Sequence, residues 1–201
     1  MKEIGTCAWD KKVCAEAAHG GNLKVLKWLR KKGCPWDHMT SKNAVRQVHF
    51  EEFDWVIENG CPWDNTCAFY LAVQGEFDRL KWAFEKGCPR DNKVCAAAAG
   101  SGNIEMMKWV IERGCLMDEQ TCHIGAMLGK LEALKWAREH GCPWSVSACT
   151  AAAEYGHFEV LKWLTENGCP WEEAIYKAAV KRGHSETLAW LHEQISWREN
   201  P

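Results

Sequence analysis

A cysteine stands at residues 7, 34, 61, 88, 115, 142 and 169, and every interval is 27 residues. A period this strict dictates an array: a 27-residue unit is too small to bury a core alone, so copies must stack on their neighbours. The surrounding tetrapeptide Gly-Cys-Pro-Trp occurs in full at residues 33–36, 60–63, 141–144 and 168–171. The repeats run 7–33, 34–60, 61–87, 88–114, 115–141, 142–168 and 169–195, with flanks 1–6 and 196–201. No linker or second domain fits between them, so the reading is a single repeat array over 1–201. Lys2-Glu3-Ile4-Gly5 reads as the tail of a preceding second helix, which extends the expected array upstream.

Positions are counted from that cysteine as zero. Position +21 is Trp in all seven repeats, and position +2 is Trp at Trp9, Trp36, Trp63, Trp144 and Trp171, which accounts for 12 of the 13 tryptophans. Position +7 is Cys at Cys14, Cys95, Cys122 and Cys149, while Cys67 sits one place early; with the seven period cysteines these make all 12. Asp at +3 (Asp10, Asp37, Asp64, Asp91, Asp118), and Ser145 in the sixth repeat, read as N-caps whose side-chain oxygens satisfy free N–H groups of a first helix. Gly at +14 ends that helix in six repeats, and Val48 takes the place in the second. A second helix follows from about +15 to +25, with apolar residues at +16, +19 and +22, and the +26 Gly closes it. No segment alternates with period two long enough to be a strand. The fold class expected is all-α: an α-solenoid of seven stacked helix-turn-helix repeats. Repeat seven, with Lys177, Lys181 and Thr187, reads as a C-terminal cap.

Two stretches, Ala153-Glu154-Tyr155-Gly156-His157-Phe158-Glu159-Val160-Leu161-Lys162-Trp163-Leu164 and Ala18-His19-Gly20-Gly21-Asn22-Leu23-Lys24-Val25-Leu26, resemble the helix-turn-helix half of an ankyrin repeat. The unit is shorter than the ankyrin repeat of about 33 residues, and Cys-Pro-Trp-Asp stands where the β-hairpin finger would be. The Thr-Pro-Leu-His start is missing too. This short Cys-Pro-Trp type is similar to ankyrin-like proteins of giant DNA viruses of amoebae and of some algae and oomycetes. The resemblance implies a non-catalytic scaffold for protein–protein interaction.

The cysteines invite a metal reading, and packing answers it better. Zinc needs about four ligands near 2.3 Å; each repeat offers at most two cysteines and none forms Cys-x-x-Cys. Buried cysteine is a small hydrophobe, so packing is expected, with an intrarepeat disulfide between positions 0 and +7 as the oxidised alternative. The tryptophans could stack nucleic-acid bases, but the net charge is −2 and only the first repeat is strongly basic. They are expected instead to pack, the +21 ring half covered between successive second helices and the +2 ring over the core. Gly100-Ser101-Gly102 lacks the strand context of a nucleophile elbow or phosphate loop, and no catalytic dyad is present, so no enzyme activity, cofactor or metal is expected. No run approaches the ~18 apolar residues of a membrane span, and the N-terminus lacks a signal-peptide core. The expected setting is the cytoplasm, where thiols stay reduced.

Function in a stacked array falls on positions the stack leaves free. On the first helices these are expected at +5, +8, +9 and +12. The middle repeats place Phe69, Tyr70 and Val73, then the small Ala96, Ala97 and Gly100, then His123, Ile124 and Met127 there. A bare floor between apolar walls is the kind of exposed patch that takes a partner. The sequence reading is therefore a monomer that binds another protein through these nine residues. A self-assembling structural component is the alternative, and nucleic-acid or metal binding the third choice.

Overall fold

The computed structural model describes the backbone of residues 9–172 and 174–199, and side chains through residue 193. Cys7, the segment 2–5 and the Trp197 side chain lie outside the described residues. Among those described, every regular element is an α-helix. In chain order these are α1 Lys11–His19, α2 Leu23–Lys31, α3 His38–Arg46, α4 Phe50–Glu58, α5 Asn65–Val73, α6 Phe77–Glu85 and α7 Lys93–Ser101. Then come α8 Ile104–Glu112, α9 Glu119–Met127, α10 Leu131–Glu139, α11 Val146–Glu154, α12 Phe158–Glu166, α13 Ala174–Arg182 and α14 Ser185–Glu199. Odd helices are first helices of a repeat and even ones second helices, within a residue or two of the expected bounds, except that α14 runs on to Glu199, past the expected end of repeat seven at 195, where no glycine stands at +26 to stop it.

The caps explain the starts. Asp10, Asp37, Asp64, Asp91 and Asp118 each accept a backbone N–H two residues on, at 2.9–3.0 Å. Asp118 and Thr121 close a full capping box. Ser145 departs from expectation: its Oγ pairs with Ser147 Oγ at 3.0 Å and makes no cap bond. A neighbouring hydroxyl competes there for the short side chain.

The period cysteine earns its invariance through a contact between repeats. Its buried thiol donates to the backbone carbonyl of the residue 24 places earlier, the +3 cap of the preceding repeat. The distances are 3.7 Å for Cys34 to Asp10, 3.3 Å for Cys61 to Asp37, 3.7 Å for Cys88 to Asp64, 3.4 Å for Cys142 to Asp118 and 3.5 Å for Cys169 to Ser145. A small apolar residue with a weak donor is what a tight stack with one spare carbonyl requires. Ser41, standing at +7 in place of a cysteine, donates to the Pro62 carbonyl at 2.8 Å.

The two tryptophan sets pack on each other. Trp9 meets Trp28, Trp36 meets Trp55, Trp63 meets Trp82 and Trp144 meets Trp163, with centroids 5.4–6.2 Å apart. The +21 ring also touches the +16 side chain of the preceding second helix: Phe77 with Trp109 at 5.8 Å and Phe158 with Trp190 at 5.9 Å. Arg30 and Arg138 bond the next repeat's cysteine carbonyl and lay their guanidinium groups over Trp36 and Trp144, at 3.9 and 4.1 Å.

The helices group into two compact units, Met1–Leu71 with Asp78–Arg90, and Ala72–Phe77 with Asp91–Pro201. In the first, α1 packs on α3, and Leu26, Phe53 and Val56 are fully buried on the second helices. In the second, α7 packs on α9, α9 on α11 and α11 on α13, with each second helix folded back on its own first. There Met106, Met107, Leu134, Leu161, Leu164 and Leu191 fill the second-helix layer, against Cys and Ala on the first helices. Each large side chain so buried contributes roughly 1.5–3 kcal/mol. Within each unit the hairpins stack in sequence order, which is the α-solenoid class.

One position breaks the local rule. Position +14 takes a left-handed conformation, as at Gly75 (φ 81), and Val48 holds the same place at φ 63. It is the one non-glycine residue with positive φ among those described.

Candidate functional site

The predicted face divides by position. At +5 the side chains are mostly exposed, whereas in repeats three to five +8, +9 and +12 are half-buried where the residue is large and buried where it is small; Glu16, His19, Arg46, Lys177 and Lys181 at these positions of the outer repeats are exposed. Neighbouring repeats use these positions: Asn43 donates to the Ala15 carbonyl at 3.0 Å, and a His123 ring nitrogen bonds the Ser147 carbonyl at 3.2 Å. Phe69 and Tyr70 belong to the first unit, half-buried, with rings edge to face at 5.6 Å. Val73, His123, Ile124 and Met127 belong to the second unit and are half-buried as well.

Ala96, Ala97 and Gly100 are not an open floor. Ala96 and Ala97 are at most 1% exposed and Gly100 is buried. Every residue of α7 from Val94 to Gly100 is buried. The reason is visible at Gly100. A methyl group built on it would lie 2.7 Å from Ile124 Cγ2, 3.0 Å from Leu128 Cδ1 and 3.7 Å from Val73 Cγ2. Small residues on α7 let the large side chains of neighbouring segments close over it. A helical wheel, which treats the helix alone, leaves that space empty.

What those side chains leave is a groove of about 370 Å³ lined by Val73, Gln74, Gly75, Gly100, Ser101, Leu128 and Lys130. Its apolar part is Val73 with Leu128, the latter 36% exposed. Its polar part is Gln74, the Ser101 hydroxyl, which donates to the Ala98 carbonyl at 2.7 Å, and Lys130. The Lys130 stem lies across Gly102, its Cδ 3.2 Å from where a Cβ would sit. Such a site suits an apolar side chain with polar flanks. Leu128 and Lys130, in the α9–α10 turn, escaped the sequence reading, which searched helical faces only.

A second groove, of about 390 Å³, lies in the first unit among Asp54, Glu58, Asp78, Arg79 and Trp82. Arg79 spans it, 3.5 Å from Asp54 and 4.3 Å above the Phe50 ring.

The thiols are buried and unlinked: 11 cysteines are described and all are free. Burial pushes the Cys61, Cys88 and Cys95 thiols up to about 12. Among the described residues no group of three or more His, Cys, Asp or Glu is placed to hold a metal. None of their helices is long and apolar enough to cross a membrane.

Comparison with known proteins agrees with this geometry. The family described as ankyrin repeats (many copies) matches residues 149–192. The crystal structure of the human ASB11 ankyrin repeat domain shares the fold, with a TM-score of 0.55 at 20% identity, over 78% of this chain and 84% of that one. No curated protein sequence matches the chain. The ankyrin-repeat match covers residues 149–192, and the likeness to the solved ankyrin repeat domain is one of fold.

Proposed function

We propose that the chain is a non-catalytic protein-binding module whose partner lies on the first-helix side. Ankyrin repeats are generally modules of this kind. The observation that carries the reading is the apolar lip of Val73, Ile124 and Leu128 around Gly100. These residues lie outside the repeated Cys, Trp and Asp framework, which serves helix caps, ring packing and contacts between repeats. Val73, His123, Ile124 and Met127 form the contact in the second unit, and Phe69 with Tyr70 form one in the first. Ala96, Ala97 and Gly100 shape the site from beneath. The same reading has the chain monomeric in the cytoplasm, without cofactor or nucleic acid, and of the short Cys-Pro-Trp ankyrin type.

The test is affinity capture with the folded chain and with Leu128→Glu, using Tyr155→Ala as a control at a 45% exposed residue off the groove. The expected result is loss of specific partners with Leu128→Glu alone, at unchanged helicity. Identical capture by both variants refutes the groove, and a concentration-dependent oligomer in sedimentation refutes the monomeric reading.

A further inference from the structure

The structure pairs the cysteines differently from the order in which each repeat writes them. The +7 thiol of one repeat faces the period cysteine of the next. Cys122 Sγ lies 3.5 Å from Cys142 Sγ, 20 residues away. Cys149 and Cys169 hold the same two positions one repeat on, where Cys169 Sγ donates to the Ser145 carbonyl at 3.5 Å. All four are free, and none is more than 2% exposed. The two sulfurs of each pair come from different elements: Cys122 and Cys149 from the middle of a first helix, Cys142 and Cys169 from the non-helical link that opens the next repeat. On either side of those links the chain is open to solvent, at Gly141 and Pro143 and again at Gly168 and Pro170.

We propose that Cys122–Cys142 and Cys149–Cys169 are dithiol sites that close to disulfides between neighbouring repeats when a hydroperoxide reaches them. The separation of the sulfurs exceeds a disulfide bond of about 2.05 Å by a distance that a side-chain rotation and a small shift of the link can cover. The period cysteine is the sulfur oxidised first. Cys142 accepts the hydrogen bond of Cys122, which holds the Cys142 thiol below its usual value and raises that of Cys122. It also lies on the segment whose brief opening admits a small oxidant.

The chemistry balances in two steps. The Cys142 thiolate attacks one peroxide oxygen, the O–O bond breaks, and sulfenic acid and an alcohol (water, for hydrogen peroxide) result once a proton is taken up. The Cys122 thiolate then attacks that sulfur, the S–O bond breaks, and water leaves with a second proton. Over both steps two thiols lose two electrons and two protons, and the peroxide is reduced by two electrons. A thiol reductant reverses the change by exchange.

Each bond encloses an entire second helix, α10 or α12, and ties it at both ends. In an array whose stability is a sum of neighbour terms, two such links fasten repeats five, six and seven together. For loops of this length the unfolding equilibrium of the fastened segment falls by about 300-fold per link.

The test uses the full chain, reduced and then exposed to hydrogen peroxide while folded. Remaining thiols are blocked in denaturant, the chain is mapped under non-reducing conditions, and thermal unfolding is followed with and without dithiothreitol. The expected result is linked peptides joining Cys122 to Cys142 and Cys149 to Cys169, with a higher unfolding temperature that reductant abolishes. Cys142→Ala should remove the first link and retain the second. The proposal is overturned by links within one repeat, such as Cys142 to Cys149, by sulfinic or sulfonic acids without links, or by full retention of thiols.

Discussion

Val48 carries backbone strain that the remaining repeats avoid, and removing it should stabilise the array. Its φ is 63, in the left-handed region, where a β-branched side chain crowds the following carbonyl. That conformation costs a non-glycine residue roughly 1–2 kcal/mol. Val48 is 55% exposed, so little packing is lost with its side chain. Glycine brings extra freedom to the unfolded chain, which offsets roughly 0.4–1 kcal/mol of the gain. Val48→Gly should therefore raise stability by about 1 kcal/mol. Val48→Asn, which keeps a Cβ but tolerates the conformation, should gain a similar amount. The converse is Gly75→Val. Gly75 has φ 81, and a Cβ there meets nothing within 4 Å, so any loss reports the backbone alone. It should fall by about 1 kcal/mol. Urea unfolding followed by tryptophan fluorescence and by helicity measures all three. A Val48→Gly variant no more stable than the parent, or a neutral Gly75→Val, refutes the reasoning.

Three further outcomes follow from named contacts. Gly129→Ala should cost about 1–2 kcal/mol more than Gly141→Ala in denaturant unfolding. Its Cβ would lie 2.6 Å from His157 Nδ1, in a ring pinned by its other nitrogen to the Met127 carbonyl at 3.0 Å, whereas Gly141 has open space. For Asp37, burial alone would raise the carboxyl pKa, but Lys11 at 3.1 Å and the Met39 N–H outweigh it and hold it below the ordinary 3.8. Its charge therefore stabilises above that value and stops doing so as pH falls through the lowered one. Asp37→Asn should cost up to about 1 kcal/mol at pH 7, and progressively less as pH falls through the lowered pKa, in unfolding measured across pH. Maleimide at pH 7 should leave Cys61, Cys88 and Cys95 unlabelled in the folded chain and label them fully in denaturant, as mass spectrometry of the peptides will show. Rapid native labelling would contradict their burial and raised proton affinity.

The repeat, its helices and its caps were legible because their signals are local. Asp at +3 and Gly at +14 act on backbone groups a few residues away, and the 27-residue period shows which faces must meet. The candidate site was legible only in part, because cover depends on neighbours. Ala96, Ala97 and Gly100 lie on the side of α7 that an isolated helix would expose, and Ile124 and Leu128 reach over from another repeat. Ser145 failed as a cap through Ser147, two residues away, a choice between partners that composition does not decide. The thiol pairing needed the stack itself, since position +7 finds its partner in the next repeat rather than its own.

The thiol-to-carbonyl bond over 24 residues also governs how such a chain can change length. An insertion of one residue between Asp37 and Cys61 pulls the sulfur off its carbonyl and turns the helix faces away from their neighbours at the same time. Gain or loss of a whole 27-residue unit leaves the contacts between the remaining neighbours in register. Genes for arrays of this design should thus diverge in copy number, in whole-repeat steps, while single-codon insertions between a cap and the next period cysteine are purged.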